Sequence, residues 1–255
     1  MNITDEELEK LEEEEHNHAV EQFALLFLLF HQLEIELERE LSLFYSKYGT
    51  DGVVNYSQSR KRVSEKDKRK RQIVLFLTIS NLFEQIFVNF EQNYNFHLKY
   101  IIDREINFFG VNVDIKDVLS TKWGSDNLSW LDRLWLYKDK WTDTIYADLK
   151  RSFLKQDDIK TVNGLIDERL RSMERVLWRH YVSESTATSS IVRHKIFKEL
   201  GVKKYRFYTR ADERTCEHCG ALHGLIFPIS AFEVGVTASP IHPHCRCWEV
   251  PIFDE

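Results

Sequence analysis

Residues 216–219 read Cys-Glu-His-Cys, and residues 242–247 read His-Pro-His-Cys-Arg-Cys. These two stretches contain all four cysteines of the 255-residue chain. Two thiolates separated by two residues can converge on one tetrahedral ion, because the turn between them points both sulfurs inward. We therefore interpret the stretches as a Zn²⁺ site that organises the end of the chain. The simplest set of four ligands is Cys216, Cys219, His242 and Cys245.

The fourth ligand has an alternative in Cys247, since a strand-like Cys245-Arg246-Cys247 would turn both sulfurs to one face and leave His242 outside the ligand set. His244 and His218 are weaker candidates. Four protein ligands close the coordination sphere, and a closed site holds structure rather than activating water. The sequence therefore predicts a structural site in a protein that is not an enzyme.

Other uses of paired cysteines fit less well. A redox Cys-x-x-Cys needs a following helix in a βαβ setting, which Gly220 and Gly224 do not favour. A zinc deaminase needs a His-x-Glu motif, and the chain contains none. A metal-dependent nuclease needs an open site with harder ligands. Disulfides of a secreted fold would be spread along the chain rather than clustered.

Upstream of the cysteines the apolar residues recur at helical spacing. One stripe runs from Leu26 to Tyr48 and another from Phe76 to Tyr94, separated by a break at residues 49–52. A third helix follows a cap at Ser125 or Asp126, and a fourth stripe covers 166–181. A shorter helix then reaches Leu200 and ends at Gly201, where a left-handed residue is wanted.

After Gly201 the pattern alternates, which predicts a half-exposed strand from Tyr205 to Arg210 and a second strand around 225–227. The predicted fold is thus mainly α with a small C-terminal α+β zinc-binding module. We expect three regions, an N-terminal helical region over 1–110, a helical body over 111–200 and the zinc-binding module over 201–255.

The net charge of −6 gives no overall attraction to nucleic acid or to an anionic membrane, so such binding depends on local patches. One basic run lies in the predicted connector 60–71 between the first two helices, and contact with DNA phosphates is its functional interpretation. The alternative interpretation is that the run is only a solvated connector between the two helices. The candidate contacts are Arg60, Lys61, Arg62, Lys68, Arg69, Lys70 and Arg71.

The run Phe23–Phe30 is the most apolar stretch, yet charged residues bracket it well short of the ~20 residues that a bilayer crossing needs. No membrane span is predicted. The residues before it are acidic, which does not fit a secretory signal peptide. Because this run is apolar nearly all round, it is expected to be buried on more than one side, by its own chain or by a partner.

The cysteine region also resembles a known family. The run Asp212–Cys216, followed by Cys219, Gly224 and Phe227 and then by Pro240 and the 242–247 stretch, is similar to the signature of phage Mu F-like minor head proteins, the phage head morphogenesis family. Stretches at 123–133 and 168–175 resemble the family's helical part, so the likeness covers roughly residues 118–247. Ser239 stands where the family commonly has a proline, which we expect to loosen the loop before the ligands.

This resemblance implies a low-copy protein of a tailed-phage head that contacts the portal protein and the major capsid or scaffold proteins. It would reside in the virion, at the capsid interior or portal vertex, and in the host cytoplasm during assembly. It would help head assembly, DNA packaging or DNA delivery. The rival function is a zinc-ribbon DNA-binding protein that accompanies the phage genome, with Lys203, Lys204, Arg206 and Arg210 as its basic face.

Overall fold

The structure is a computed structural model that describes residues 4–48, 53 and 65–253. Its architecture is mainly helical with a small C-terminal sheet, as the sequence predicts. The helices are α1 (Asp5–Tyr48), α2 (Glu65–Phe109), α3 (Trp130–Lys155), α4 (Ile159–Glu199) and the short α5 (Glu217–Leu222). The strands are β1 (Lys204–Thr209), β2 (Ile226–Pro228) and β3 (Cys247–Ile252), with single 3-10 turns at Val118–Ser120 and Ile229–Ala231.

Helix α1 begins well before the predicted apolar stripe and includes the acidic segment 5–15. Thr4 caps it, since its hydroxyl accepts from Glu7 N at 3.2 Å while the Glu7 carboxylate accepts from Thr4 N at 2.9 Å. This reciprocal pairing satisfies two backbone donors that the first turn leaves free. The predicted stripe is confirmed, with buried Leu26, Leu33 and Leu41 on one face.

The prediction that the whole basic run 60–71 lies in a connector is wrong for residues 66–71. Helix α2 begins at Glu65, so the backbone of 66–71 is already helical. Lysine and arginine are good helix formers, and the apolar stripe that follows is enough to extend the helix through them. The side chains of Arg69 and Lys70 are exposed, as a phosphate contact would require. Outside the described residues lie Arg60, Lys61 and Arg62 and the side chains of Lys68 and Arg71.

The cap predicted for the third helix at Ser125 or Asp126 is also wrong. Ser129 caps α3, because its hydroxyl accepts from Asp132 N at 3.2 Å and donates to the Asp132 carboxylate at 2.8 Å. Asp126 instead accepts from Leu128 N and forms an ion pair with Arg133. The intervening turn uses a left-handed Asn127, which delays the start of the helix.

The fourth and fifth predicted helices are one continuous helix, α4. The stretch 183–190 is rich in Ser and Thr, whose hydroxyls compete with the backbone and weaken a helix prediction. In the structure the hydroxyls of Ser183, Ser185 and Thr186 donate to the carbonyl four residues earlier, with Ser185 Oγ donating to Tyr181 O at 2.8 Å. The predicted stop is confirmed, since Gly201 has a φ of +69° and Val202 N donates back to Phe197 O.

The helices and the sheet form two compact units, neither of which is continuous in sequence. Unit 1 comprises 1–24, 92–133 and 177–255, and unit 2 comprises 25–91 and 134–176. These limits differ from the predicted boundaries near 110 and 200. Each long helix therefore contributes to both units, so a boundary search along the sequence does not find them.

The sheet belongs to unit 1 and has the strand order β2-β1-β3, with both pairs antiparallel. The predicted alternation in β1 is confirmed, because Tyr205, Phe207 and Thr209 are buried. Behind the sheet, Trp248 and Val250 of β3 share a core with residues of α4 and with the first turns of α1. Strand β3 was not predicted as a strand, apart from the strand-like Cys245–Cys247 considered for the ligands.

Unit 1 also contains a buried ionic cluster. Arg193 of α4, 1% exposed, pairs with Glu105 of α2 through Nε at 2.8 Å and with Glu12 of α1 through Nη2. Ser189 Oγ donates to Glu105 at 2.6 Å and lies 3.4 Å from a Glu15 oxygen. The cluster thus places three carboxylates around one guanidinium, an excess of negative charge that burial makes costly.

We expect Glu15→Gln to stabilise the protein at neutral pH. Burial first, and the neighbouring Glu105 and Glu12 carboxylates second, raise the pKa of Glu15 well above its ordinary value. A group whose folded pKa is raised favours folding when protonated, so its contribution is lost as pH rises from the unfolded pKa towards the folded one. Melting curves should show the variant a few degrees above the parent at pH 8, with the gap closing by pH 4. An equal gap at both values would contradict this.

The segment Gln72–Phe109 of α2 has the length and apolar composition of a membrane-spanning helix, although a core helix passes the same test. The absence of a span therefore stays a prediction.

In unit 2 the outward residues of the apolar run 23–30 on α1 are exposed to solvent, with Leu25 55% and Leu28 65% exposed. The expectation that its own chain buries this run on more than one side is wrong for these residues.

Candidate metal centre

The first pair of candidate ligands lies at the start of α5. Strand β1 ends at Thr209, and a turn closed by Thr215 N donating to Asp212 O at 2.9 Å brings the chain to Cys216. Cys216 is the N-cap of α5, and its Sγ accepts from Cys219 N at 3.4 Å. The single helical turn between them points both sulfurs the same way, as the Cys-x-x-Cys spacing predicts.

The second group precedes and opens β3. A turn with Cys245 N donating to His242 O at 3.1 Å brings His242 and Cys245 together. Cys245 and Cys247 are both buried, in a small core formed with Phe207 and Cys219. Thr209, the last residue of β1, pairs with Cys247, the first residue of β3. The two candidate groups therefore meet at the same end of the sheet.

The distances between these groups fit a shared ion. His242 Nε2 lies 3.2 Å from Sγ of both Cys216 and Cys219, and the sulfurs of Cys219 and Cys245 are 3.8 Å apart. Two sulfurs ~2.3 Å from one tetrahedral Zn²⁺ would be ~3.8 Å apart, and a sulfur and a nitrogen ~3.5 Å apart. All four cysteines are free thiols, so no disulfide competes for the sulfurs. Thiolate and imidazole are the donors that a structural zinc site uses.

The structure brings all five candidates together but groups them as two overlapping triads. Cys219 belongs to both, and within each triad every pair of ligand atoms is closer than 4.8 Å. Cys219 is therefore the centre of the cluster, and the choice of fourth ligand stays open. The triads are Cys216, Cys219 and His242, and Cys219, Cys245 and Cys247.

The cluster is costly without a cation. The pKa of Cys216 is lowered, chiefly by the backbone N–H of Cys219. Contact with Cys245 raises the pKa of Cys219 and of Cys247, because neighbouring sulfurs cannot all ionise at low cost. A divalent cation removes this penalty by pairing directly with the thiolates. These residues therefore suit a metal of the zinc type.

An ion pair joins the two ligand-bearing loops. Arg246 donates to both oxygens of Asp212, at 2.8 and 2.6 Å. The pair therefore holds the turn before Cys216 beside the segment that carries Cys245 and Cys247. The guanidinium lowers the pKa of Asp212 to about 2. Asp212 also accepts from Arg214 N at 3.0 Å and so helps to close the turn before Cys216.

The two weaker histidine candidates lie outside both triads. His218 and His244 are exposed, and His244 has a left-handed φ of +62°. The backbone N–H of His244 donates to Ser183 Oγ on α4 at 3.2 Å. This contact links the ligand loop to the long helix, and no spacing rule identifies Ser183 in advance.

The expectation that Ser239 loosens its loop is wrong. Ser239 is 1% exposed, its Oγ lies 2.8 Å from Ser190 Oγ, and its N donates to the Glu249 carboxylate at 2.6 Å. Burial raises the pKa of Glu249 to about 7. Sequence reasoning also missed His223, whose Nδ1 accepts from Thr209 N at 3.2 Å and holds the end of β1.

With this geometry established, the comparison with known families is informative. Residues 146–250 match the family described as Phage Mu protein F like protein. We call this segment the Mu F-like domain for its similarity to that family. The resemblance drawn from the cysteine signature is confirmed, and the candidate metal centre lies inside the domain. No curated protein and no solved structure gives a significant match.

The Mu F-like domain covers roughly two fifths of the chain, from the middle of α3 to β3. Residues 118–145, which the resemblance included, lie outside the matched segment. Within that stretch the Trp123 indole donates to Glu184 of α4 at 2.7 Å, and Arg133 pairs with the same carboxylate. The turn at 123–127 is thereby fixed to a helix of the domain.

Proposed function

We propose that this chain is a minor structural protein of a tailed-phage head that acts in head assembly and in DNA packaging or delivery. The observation that carries the proposal is the Mu F-like domain at 146–250, whose family indicates head morphogenesis. A capsid location follows from the same family. We place the protein at the portal vertex or inner shell, with the host cytoplasm as its site during assembly.

Docking on a larger shell would use the outer faces of the long helices. On α1 the exposed Leu25, Leu28 and Ile35 recur at helical spacing opposite the buried stripe. Exposed apolar side chains that line one face are typical of surfaces that meet a partner. The portal protein and the major capsid or scaffold proteins are the partners that the proposed role requires.

We infer that the Cys/His cluster holds Zn²⁺ as a structural clasp and that the protein performs no catalysis. Five soft or borderline donors converge on one place, which leaves no position for substrate or activated water. Trp248 and Val250 pack in the core of unit 1, but the ligand-bearing end of the sheet has only a small core of its own, so an ion adds stability there that apolar burial does not supply.

Mass spectrometry of purified particles tests the assigned role. We expect the protein in virions at a few copies per portal, and we expect particles from a Cys216→Ser phage to lack it and to lose infectivity. Recovery of the protein only from infected-cell lysate, never from virions, would overturn the assignment of a virion component. Infectivity that is equal with and without the gene would overturn the role in assembly and delivery.

A further inference from the structure

Four arginines from different parts of unit 1 lie around the Cys/His cluster, and we call them the arginine rim. Arg179 is on α4, Arg210 and Arg214 lie in the turn after β1, and Arg246 lies between two candidate ligands. The side chains of Arg179 and Arg214 are exposed, while Arg210 is half-buried. Because separate elements supply them, their proximity is not evident from the sequence.

The arginines of the rim lie beside the candidate ligands. Arg210 and Arg246 line one small cavity together with His16 and Cys245. Arg214 follows Arg210 in the turn after β1 and lies two residues before Cys216. The carbonyl of Arg179 accepts from Ser183 Oγ at 2.8 Å, and Ser183 Oγ accepts from His244 N at 3.2 Å, so Arg179 lies on the turn of α4 that contacts the ligand loop.

Most of the positive charge in the rim is not neutralised. Arg246 pairs with Asp212. Among the described residues, no carboxylate lies within ion-pairing distance of Arg179, Arg210 or Arg214. Three guanidinium groups thus face solvent or the cavity with their donors available, and a guanidinium fork matches the oxygens of a phosphate group.

The carboxylates that share the cavity with Arg210 do not cancel this charge. Glu12 lines the cavity and is paired with Arg193. Burial raises the pKa of Glu15 well above its ordinary value, which favours its neutral form. Arg210 therefore has no ion-pair partner among the carboxylates that line the cavity.

We propose that the arginine rim binds the phosphate backbone of double-stranded DNA. Duplex DNA carries one negative charge per ~1.7 Å of its axis, so one rim can meet several phosphates at once. Such binding reads no base sequence, because phosphates position a protein without specifying a site. The rim consists of other residues than the basic run 60–71, and its activity does not depend on the role assigned to the chain in the capsid.

Fluorescence anisotropy with a labelled 30-base-pair duplex tests the proposal on the full zinc-loaded chain, as a titration repeated at several salt concentrations. The test variant is Arg179→Gln/Arg210→Gln/Arg214→Gln. Loss of three phosphate contacts should reduce the slope of log K against log[salt] by about 2 to 3 and weaken binding at least tenfold at ~0.1 M salt. Since Arg210 is half-buried, Arg179→Gln/Arg214→Gln serves as a second variant, with an expected reduction of about 2 in the slope.

The matched control is Lys99→Gln/Lys116→Gln/Lys198→Gln, which removes the same charge from exposed positions away from the rim. Zinc content and melting temperature show that each variant is folded. The proposal is overturned if the control loses as much affinity as the rim variant, if the parent does not bind DNA, or if the parent binds phosphatidylglycerol vesicles instead. Incorporation into particles is scored separately, so failure here leaves the assigned capsid role standing.

Discussion

Replacing Cys219 with Ser is expected to remove the metal and to unfold the segment from β1 to β3. Cys219 is 2% exposed and is the one residue common to both ligand triads. Structural zinc contributes about 10 to 16 kcal/mol to the folding of small modules, more than we expect the packing of Trp248 and Val250 on the core of unit 1 to replace. Elemental analysis should fall from one zinc per chain to near zero, and hydrogen exchange should become fast across 204–252.

Single variants at the two competing positions identify the fourth ligand. Of His242→Ala and Cys247→Ser, the one that keeps zinc marks the residue outside the coordination sphere. His244→Ala, at an exposed histidine outside both triads, serves as the control and should keep both metal and exchange protection. A Cys219→Ser protein with a full zinc content would show that the cluster is not a metal centre.

The second large effect is expected from Arg193→Met. This substitution keeps a long side chain but leaves the buried Glu12, Glu15 and Glu105 without their guanidinium. Removing one partner of a buried ion pair costs about 3 to 5 kcal/mol, because the remaining charge stays desolvated. For a chain of this length that is a drop in melting temperature of about 10 °C or more.

Two comparisons isolate the cause of this loss. Arg171→Met removes an exposed arginine that pairs with Asp167, and such pairs contribute about 0 to 1 kcal/mol. Adding Glu105→Gln to Arg193→Met should restore part of the lost stability, since it removes one of the stranded charges. If urea denaturation gives the same free energy of unfolding for Arg171→Met and Arg193→Met, the cluster does not stabilise the fold.

The sequence predicts those features that depend on local spacing. Helical stripes, the stop at Gly201 and the alternation in β1 each follow from residues close in the chain. The convergence of the two cysteine groups was predictable for the same reason, because ligand spacing carries its own geometric rule.

The wrong predictions concern contacts between residues that are distant in sequence, or positions where two neighbouring residues could each cap a helix. Ser129 and Asp126 both offer a cap, and the ion pair of Asp126 with Arg133 decides between them. The Ser/Thr-rich part of α4 resembles a helix break in the sequence, because its hydroxyls can compete with the backbone. In the structure a hydroxyl such as that of Ser185 donates to the backbone of the same helix, which continues. The spacing of Ser239 and Glu249 in the sequence does not predict the buried hydrogen bond that they form.

The shared core at the two ends of the chain has a consequence for synthesis. Leu8 and Leu11 of α1 belong to the same buried group as Trp248 and Val250 of β3. A ribosome delivers the first pair more than two hundred residues before the second, so the leading turns of α1 must wait with apolar side chains uncovered. Chaperone capture during translation is therefore expected to concentrate on residues 5–24, and to end only when β3 leaves the exit tunnel.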